Sequence, residues 1–290
     1  MHKHLLVTGA NGQLGSEIKA ISANYSDFNF FFTDRDNLDI SNKESVQHFC
    51  QNNSIDSIIN CAAYTAVDKA ENDADTADKI NHLAVKYLAE VAKDMKISLI
   101  HISTDYIFDG RNYRPYLEDD NPAPQSVYGK TKLLGEQELL TINPENSIII
   151  RTSWVYSSFR NNFVKTMLRL GKDKDELGVI FDQVGTPTYA ADLAKVILDI
   201  LPQLNNKDIQ TYHYSNEGVC SWYDFAKTIF ELSDITCQVN PIETKEYPTP
   251  ATRPHYSLLN KAKIKTAFNI AIPYWKDSLK SCLKTLKENT

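Results

Sequence analysis

The chain of 290 residues is long enough for one large α/β unit or two closely joined lobes, and 42% of it is hydrophobic and 23% charged. That balance excludes a disordered chain, and a formal charge of −6 with dispersed Lys and Arg excludes the basic face of a general nucleic-acid binder. It leaves room for an anionic small molecule, which a few local cations and backbone N–H groups can hold. The apolar run Leu5-Leu6-Val7 is too short for a secretion core, and no segment approaches ~18 apolar residues, so a cytoplasmic protein without a membrane partner is expected. Five cysteines without CxxC spacing predict free thiols, and the seven histidines show no metal-ligand spacing.

In chain order, short apolar runs alternate with helical patterns. Leu5–Val7, Phe28–Phe32, Ser57–Ile59, Ile97–Ile102 and Ile148–Ile150 read as strands buried on both faces. Residues 13–23, 43–51, 75–93 and 127–140 read as helices, the second opened by a capping box at Ser41 and Glu44. Five strands joined by helices predict right-handed crossovers and an α/β, Rossmann-like, doubly wound parallel sheet over residues 1–155. After about Trp154 the rhythm is irregular. Helical patterns cover 161–170, 190–201 and 222–232, and residues 243–254 read as an extended loop. The region 156–290 is expected to form a smaller C-terminal lobe that binds substrate beyond the carboxyl ends of the strands.

The first strand runs into Thr8-Gly9-Ala10-Asn11-Gly12-Gln13-Leu14-Gly15. Glycines at positions 9, 12 and 15 permit a tight turn, close approach of backbone to a pyrophosphate, and packing of helix on strand. The second strand ends at Asp34, nineteen residues past Gly15. Its carboxylate can accept hydrogen bonds from the adenosine ribose of NAD, whereas Arg35 can meet a 2′-phosphate, so NADH and NADPH both stay open. Asp39-Ile40 and Ala63-Tyr64-Thr65, after the second and third strands, are expected over the adenine and the central cofactor.

Tyr128 and Lys132 stand at i and i+4 on one helical face, where an ammonium can lower the pKa of a phenol toward neutrality. Such a phenol can exchange a proton with a carbonyl or alcohol oxygen. The same spacing recurs at Tyr223 and Lys227, but only Tyr128 opens a helix shortly after a strand that ends in hydroxyls, Ser103-Thr104. Trp154 offers a flat apolar wall for a ring, and Arg253 a planar fork for a pyrophosphate or for a structural carboxylate.

Taken together, His101-Ile102-Ser103-Thr104-Asp105-Tyr106-Ile107-Phe108-Asp109-Gly110, Tyr128-Gly129-Lys130-Thr131-Lys132, Arg151-Thr152-Ser153-Trp154-Val155-Tyr156, Asn161-Asn162-Phe163 and the run 247–254 resemble the dTDP-4-dehydrorhamnose reductases, which are extended short-chain dehydrogenase/reductases. The resemblance covers essentially the whole chain. It implies NAD(P)H-dependent reduction of the 4-keto group of dTDP-4-dehydro-L-rhamnose, with Tyr128 as proton donor and Thr104 supporting the reacting oxygen. Lys132 would tune the phenol and bind the cofactor, and Asp105 and Trp154 would touch the sugar nucleotide. Some members dimerise through a metal held by glutamates. Glu17 matches one such ligand, but Ala191 stands at another, so no metal is expected, and the chain is a monomer or a homodimer. Nucleotide-sugar epimerases and dehydratases, and a non-catalytic regulatory subunit, resemble the same family. The dehydratases carry Thr-Asp-Glu where this chain has Thr104-Asp105-Tyr106, and Thr104, Tyr128 and Lys132 are all present.

Overall fold

A computed structural model describes residues 2–288. Six parallel strands form the main sheet: β1 (Lys3–Thr8), β2 (Phe28–Phe32), β3 (Ser57–Asn60), β4 (Ser98–Thr104), β5 (Ile148–Thr152) and a sixth, Gln210–His213. Their spatial order is Gln210–His213, β5, β4, β3, β1, β2. The chain leaves β1 toward one edge for β2 and toward the other for β3, so β1 and β3 flank the point where the winding reverses. Ligands of open parallel sheets bind beyond the strand ends at such a point.

Period-two alternation distributes the strand side chains between two cores. Leu5, Val7, Ile59, Ile100, Ile148 and Ile150 face helix α1 (Gln13–Ile21) and the helix Ala190–Ile200. Leu6, Ile58, Leu99 and Ile149 face helix α2 (Lys43–Asn52) and the helix Ala84–Met95. Continuous apolar runs thus encode a sheet covered on both sides.

The sixth strand is absent from the sequence expectations, as is the closing helix Trp275–Glu288. Residues 190–213 therefore return from the later half of the chain to complete the six-stranded sheet. Helix α2 is capped by Asn42, whose Oδ1 accepts from the Ser45 N–H at 2.9 Å, rather than by Ser41. The Ser41 hydroxyl donates instead to Asp39 Oδ1 at 2.6 Å, which keeps it from the helix end. The expected helix 75–93 is interrupted by a π-helical turn, Lys79–Leu83.

The remaining elements pack around a separate core that includes Tyr156, Val164, Phe225, Ile229, Trp275 and Leu279. Helices Phe163–Asp173, Trp222–Leu232 and Trp275–Glu288 surround it, with a parallel strand pair, Glu176–Ile180 beside Gln238–Ile242. Among the described residues no helix is long and apolar enough to cross a membrane.

Candidate active site

At the end of β1, Gly9 has φ +63°, and a Cβ there would come within 2.7 Å of the Ala62 backbone that follows β3. Only glycine permits both the left-handed turn and this approach. A Cβ on Gly15 would lie 2.5 Å from the Gly9 carbonyl oxygen, so the helix start is pressed onto the turn. No side chain caps α1 at Gly12. Its first N–H groups, including those of Gln13, Leu14 and Gly15, therefore remain available to an anion.

Beside this turn lies a cleft of ≈ 680 Å³. Gly9, Gly12, Asp34, Arg35, Asp39, Ile40, Ala63 and Tyr64 all line it, so eight expected cofactor residues converge on one cavity. Asp34 accepts from the Asn11 side-chain amide and, at 3.0 Å, from the Asp36 N–H. Hydrogen bonds from Ser41 hold the Asp39 carboxyl below its usual range, with Lys79 and Arg35 contributing by charge. Gln13, Leu14, Gly15, Thr65, Tyr128 and Lys132 are not among the lining residues. Gln13 Nε2 donates to the Val155 carbonyl at 3.3 Å, Leu14 and Gly15 are buried, and Thr65 is exposed. An uncapped helix end, a turn too tight for any Cβ and an acidic strand end fit a dinucleotide.

Thr104 ends β4. Its Oγ accepts from the Tyr106 N–H at 3.2 Å and donates to Asp105 Oδ1 at 3.0 Å. Ser126 caps the helix Val127–Ile142 by accepting from the Gly129 N–H at 3.1 Å. A Cβ on Gly129 would stand 2.2 Å from the Tyr106 carbonyl, so glycine lets the helix seat against the turn after β4. Tyr128 is thereby brought edge-on to Tyr106, with ring centroids 5.5 Å apart, and Thr104 is near enough to act on its phenol.

Burial governs the ionisation of this group. It pushes the Tyr128 phenol up to about 12, against a lowering by the Thr104 hydroxyl and with a further rise from Asp105. Burial likewise raises the Asp105 carboxyl to about 7, partly offset by the hydroxyls of Thr104 and Ser257. The expected lowering of the phenol by Lys132 is not found. Lys132 is itself buried and pulled down to about 8, and its Nζ donates to the Ile102 carbonyl at 2.6 Å and meets His101 Nε2 at 3.2 Å. Desolvation outweighs the pairing that i,i+4 spacing suggests.

The next residue on this helical stripe, Glu136, pairs with Arg151 of β5 at 2.8 Å, both side chains being buried. This pair ties the helix that carries Tyr128 and Lys132 to the sheet. Tyr223, by contrast, packs against the core of the smaller lobe, and Lys227 is exposed.

Trp154, just past β5, has φ +49°, a strained conformation for a bulky residue. Its ring lies on that of Trp222, centroids 3.6 Å apart and planes within 11°. Trp222, Phe163, Met167, Tyr247 and Arg253 line a second cleft of ≈ 700 Å³. Trp222 carries no role in the sequence expectations. Its spacing in an amphipathic helix is that of an ordinary core residue, and only the three-dimensional stack reveals it. Arg253 is bound to Asp68 through both Nη atoms, at 2.6 and 3.0 Å. Glu17 is buried and accepts from the Ser157 hydroxyl at 2.6 Å.

A doubly wound sheet with a glycine turn at its reversal point, and a Thr–Tyr–Lys group at the end of β4, defines the extended short-chain dehydrogenase/reductase class. The chain belongs to the family described as RmlD substrate binding domain, which it matches over residues 3–288. It is 42% identical over 287 residues to the dTDP-4-dehydrorhamnose reductase of Aggregatibacter actinomycetemcomitans, covering 96% of this chain and 97% of the relative. The crystal structure of a dTDP-4-dehydrorhamnose reductase from Clostridium acetobutylicum is 45% identical, with a TM-score of 0.93 over 98% of this chain and 99% of that one. A Bacillus anthracis dTDP-4-dehydrorhamnose reductase in complex with NADP is 38% identical, with a TM-score of 0.93 over 98% of this chain and 100% of that one.

Proposed function

We propose that the chain reduces the 4-keto group of dTDP-4-dehydro-L-rhamnose to give dTDP-L-rhamnose, using NADPH or NADH, as a step in dTDP-rhamnose biosynthesis. The observation that carries this reading is the convergence of Thr104, Tyr128 and Lys132 on the end of β4, within a chain that aligns end to end with dTDP-4-dehydrorhamnose reductases.

The uncapped start of α1 and the Gly9 turn would hold the pyrophosphate of the cofactor, and Asp34 and Arg35 would meet its adenosine ribose. The nicotinamide, when bound, supplies hydride to the sugar carbon. Thr104 and Tyr128 hold the sugar oxygen, and the phenol gives it a proton as negative charge develops there. A phenol displaced to about 12 stays protonated at neutral pH, yet it is a stronger acid than an ordinary alcohol and can protonate the developing alkoxide. Lys132, one turn along the helix, would add to that acidity when its amine is charged, an effect that burial of the phenol outweighs in the structure. The smaller lobe, 156–290, takes the nucleotide part of the substrate in the cleft beside Trp222, with Trp154 and Asp105 toward the sugar and Arg253 toward the diphosphate.

The test is loss of NAD(P)H absorbance in the presence of dTDP-4-dehydro-L-rhamnose. Stoichiometric oxidation with release of the 4-hydroxy sugar is expected. No oxidation, or a purified protein that retains nicotinamide through repeated turnover, would defeat the reading.

A further inference from the structure

Three buried polar side chains lie side by side across the sheet under the catalytic pair. Thr8, Asn60 and His101 occupy matched register positions on β1, β3 and β4, Thr8 opposite Asn60 and Asn60 opposite His101. All three are at most 1% exposed, as is Lys132. Strands otherwise filled with Ile, Leu and Val carry here a continuous row of hydrogen bonds. It runs from Lys132 Nζ to His101 (3.2 Å), from His101 Nδ1 to the Asn60 amide nitrogen (3.0 Å), and from Asn60 Oδ1 to the Thr8 hydroxyl (2.7 Å). Thr8 in turn lines the cofactor cleft.

Donor and acceptor accounting fixes the protons in this row. The Ala62 backbone N–H lies 3.2 Å from one Asn60 side-chain atom, and because an N–H can only donate, that atom is the oxygen. The Asn60 NH₂ therefore faces His101 and donates to Nδ1. A neutral imidazole has one N–H, so His101 carries it on Nε2, pointing at Lys132 Nζ. An ammonium has three donors and no lone pair, and cannot accept it. An amine can: it takes the Nε2–H on its lone pair and gives one N–H to the Ile102 carbonyl, which leaves every partner satisfied.

We propose that His101, its ring fixed by Asn60, is a positioning residue that disfavours the ammonium form of Lys132. The charge beside the proton donor thus depends on a row of side chains that crosses three strands, and protonating Nζ costs the His101 hydrogen bond. The other ionisable groups around Lys132 are few. On its own helix stand Tyr128 and Glu136, and Glu136 is committed to Arg151 of β5. From β4 come His101 and, beyond Thr104, Asp105. Next to Asn60, the Cys61 thiol is kept neutral by burial. Burial also favours the uncharged forms of Lys132 and His101, in the direction the geometry requires.

The inference rests on reading Lys132 as the group that tunes Tyr128, but its first test does not. Ring ¹⁵N shifts of labelled protein, with His101 assigned by its loss in His101→Gln, report the tautomer directly. The Nε2–H form is expected at neutral pH, and an Nδ1–H form in the parent protein overturns the proposal. Asn60→Asp reverses the row. Its carboxylate accepts from Ala62, Thr8 and Nδ1–H, and frees Nε2 to accept from an ammonium. The variant is expected to show the Nδ1–H tautomer, and the pH limb of kcat/KM assigned to Lys132 moves upward by about one unit or more. A switched tautomer with an unmoved limb also overturns the proposal. Failure of both proteins to turn over the sugar nucleotide while the parent keeps the Nε2–H form would count against the proposed reaction instead.

Discussion

Arg253 reaches from the smaller lobe to Asp68, beside the cofactor cleft, and closes both Nη atoms on its carboxylate. The Arg253 hydrogen bonds hold the Asp68 carboxyl below its usual range. Any diphosphate that binds Arg253 must share it with Asp68. Charged hydrogen bonds of this kind contribute ~1.5–3 kcal/mol. Arg253→Ala is expected to raise KM for the sugar nucleotide by roughly 10–100-fold while leaving the Kd of NADPH within about threefold. A lowered Tm with unchanged KM would show that the pair merely ties the lobes together.

Tyr128→Phe keeps the ring against Tyr106 and removes one hydroxyl. General acid assistance is worth ~10²–10⁴-fold, so kcat should fall by about that factor with folding and cofactor binding preserved. Tyr223→Phe, which carries the same local spacing, should stay within roughly threefold, under ~1 kcal/mol of barrier. A normal Tyr128 variant beside an inactive Tyr223 variant would move the active site elsewhere.

Asp34 lines the cleft beside Arg35, where it is proposed to meet the adenosine ribose. Asp34→Ala removes the carboxylate that repels a 2′-phosphate and leaves the guanidinium, so preference should shift toward NADPH. The ratio of kcat/KM for the two cofactors reads this out, and an unchanged ratio removes Asp34 from the ribose site.

Asp105 supplies a pH dependence of stability. Its folded pKa of about 7 lies above its ordinary value, so the folded state binds more protons between those two pH values. Stability from this group is fully present below the unfolded pKa and is lost as pH rises through about 7. Asp105→Asn should therefore raise Tm by ~2 °C or more at pH ~8, and change it far less at pH ~4. Equal shifts at both pH values would mean that the carboxyl is not desolvated.

The Glu136–Arg151 pair is buried on both sides. Breaking such a pair leaves an uncompensated charge and costs ~3–5 kcal/mol. Glu136→Gln should lower the free energy of urea unfolding by about that amount, and it should also loosen the helix that presents Tyr128.

Local signals carried most of the nucleotide-binding half. The Gly9 turn, Asp34 and the five apolar strands announce themselves within a few residues, and eight of the expected cofactor residues converge on one cleft. The sixth strand did not, because Gln210-Thr211-Tyr212-His213 is polar and sits at a sheet edge, where only its partner β5 makes it a strand. The helix Trp275–Glu288 is missing from the expectations although its signal is local, with Trp275, Leu279, Cys282 and Leu283 at helical spacing. Asn60 lies just past the run 57–59 and His101 inside the run 97–102, and their chemistry exists only through pairing across β3 and β4. The direction of the Tyr128 shift was misjudged for a related reason. Spacing reports which groups are near, whereas desolvation depends on everything packed around them.

The late return of residues 190–213 constrains how the protein can be made and cut. A ribosome that has finished β5 has not yet supplied the Ala190–Ile200 helix or the Gln210–His213 strand. Until it does, the Leu5, Val7, Ile148 and Ile150 face is covered only by α1, and the far side of β5 is an open edge, a template for pairing with other chains. A fragment ended at residue 155 would inherit both faults and is expected to aggregate, whereas one ended near residue 215 would have the complete sheet. Genetic dissection of the two lobes thus has to follow the spatial boundary, which the chain crosses more than once.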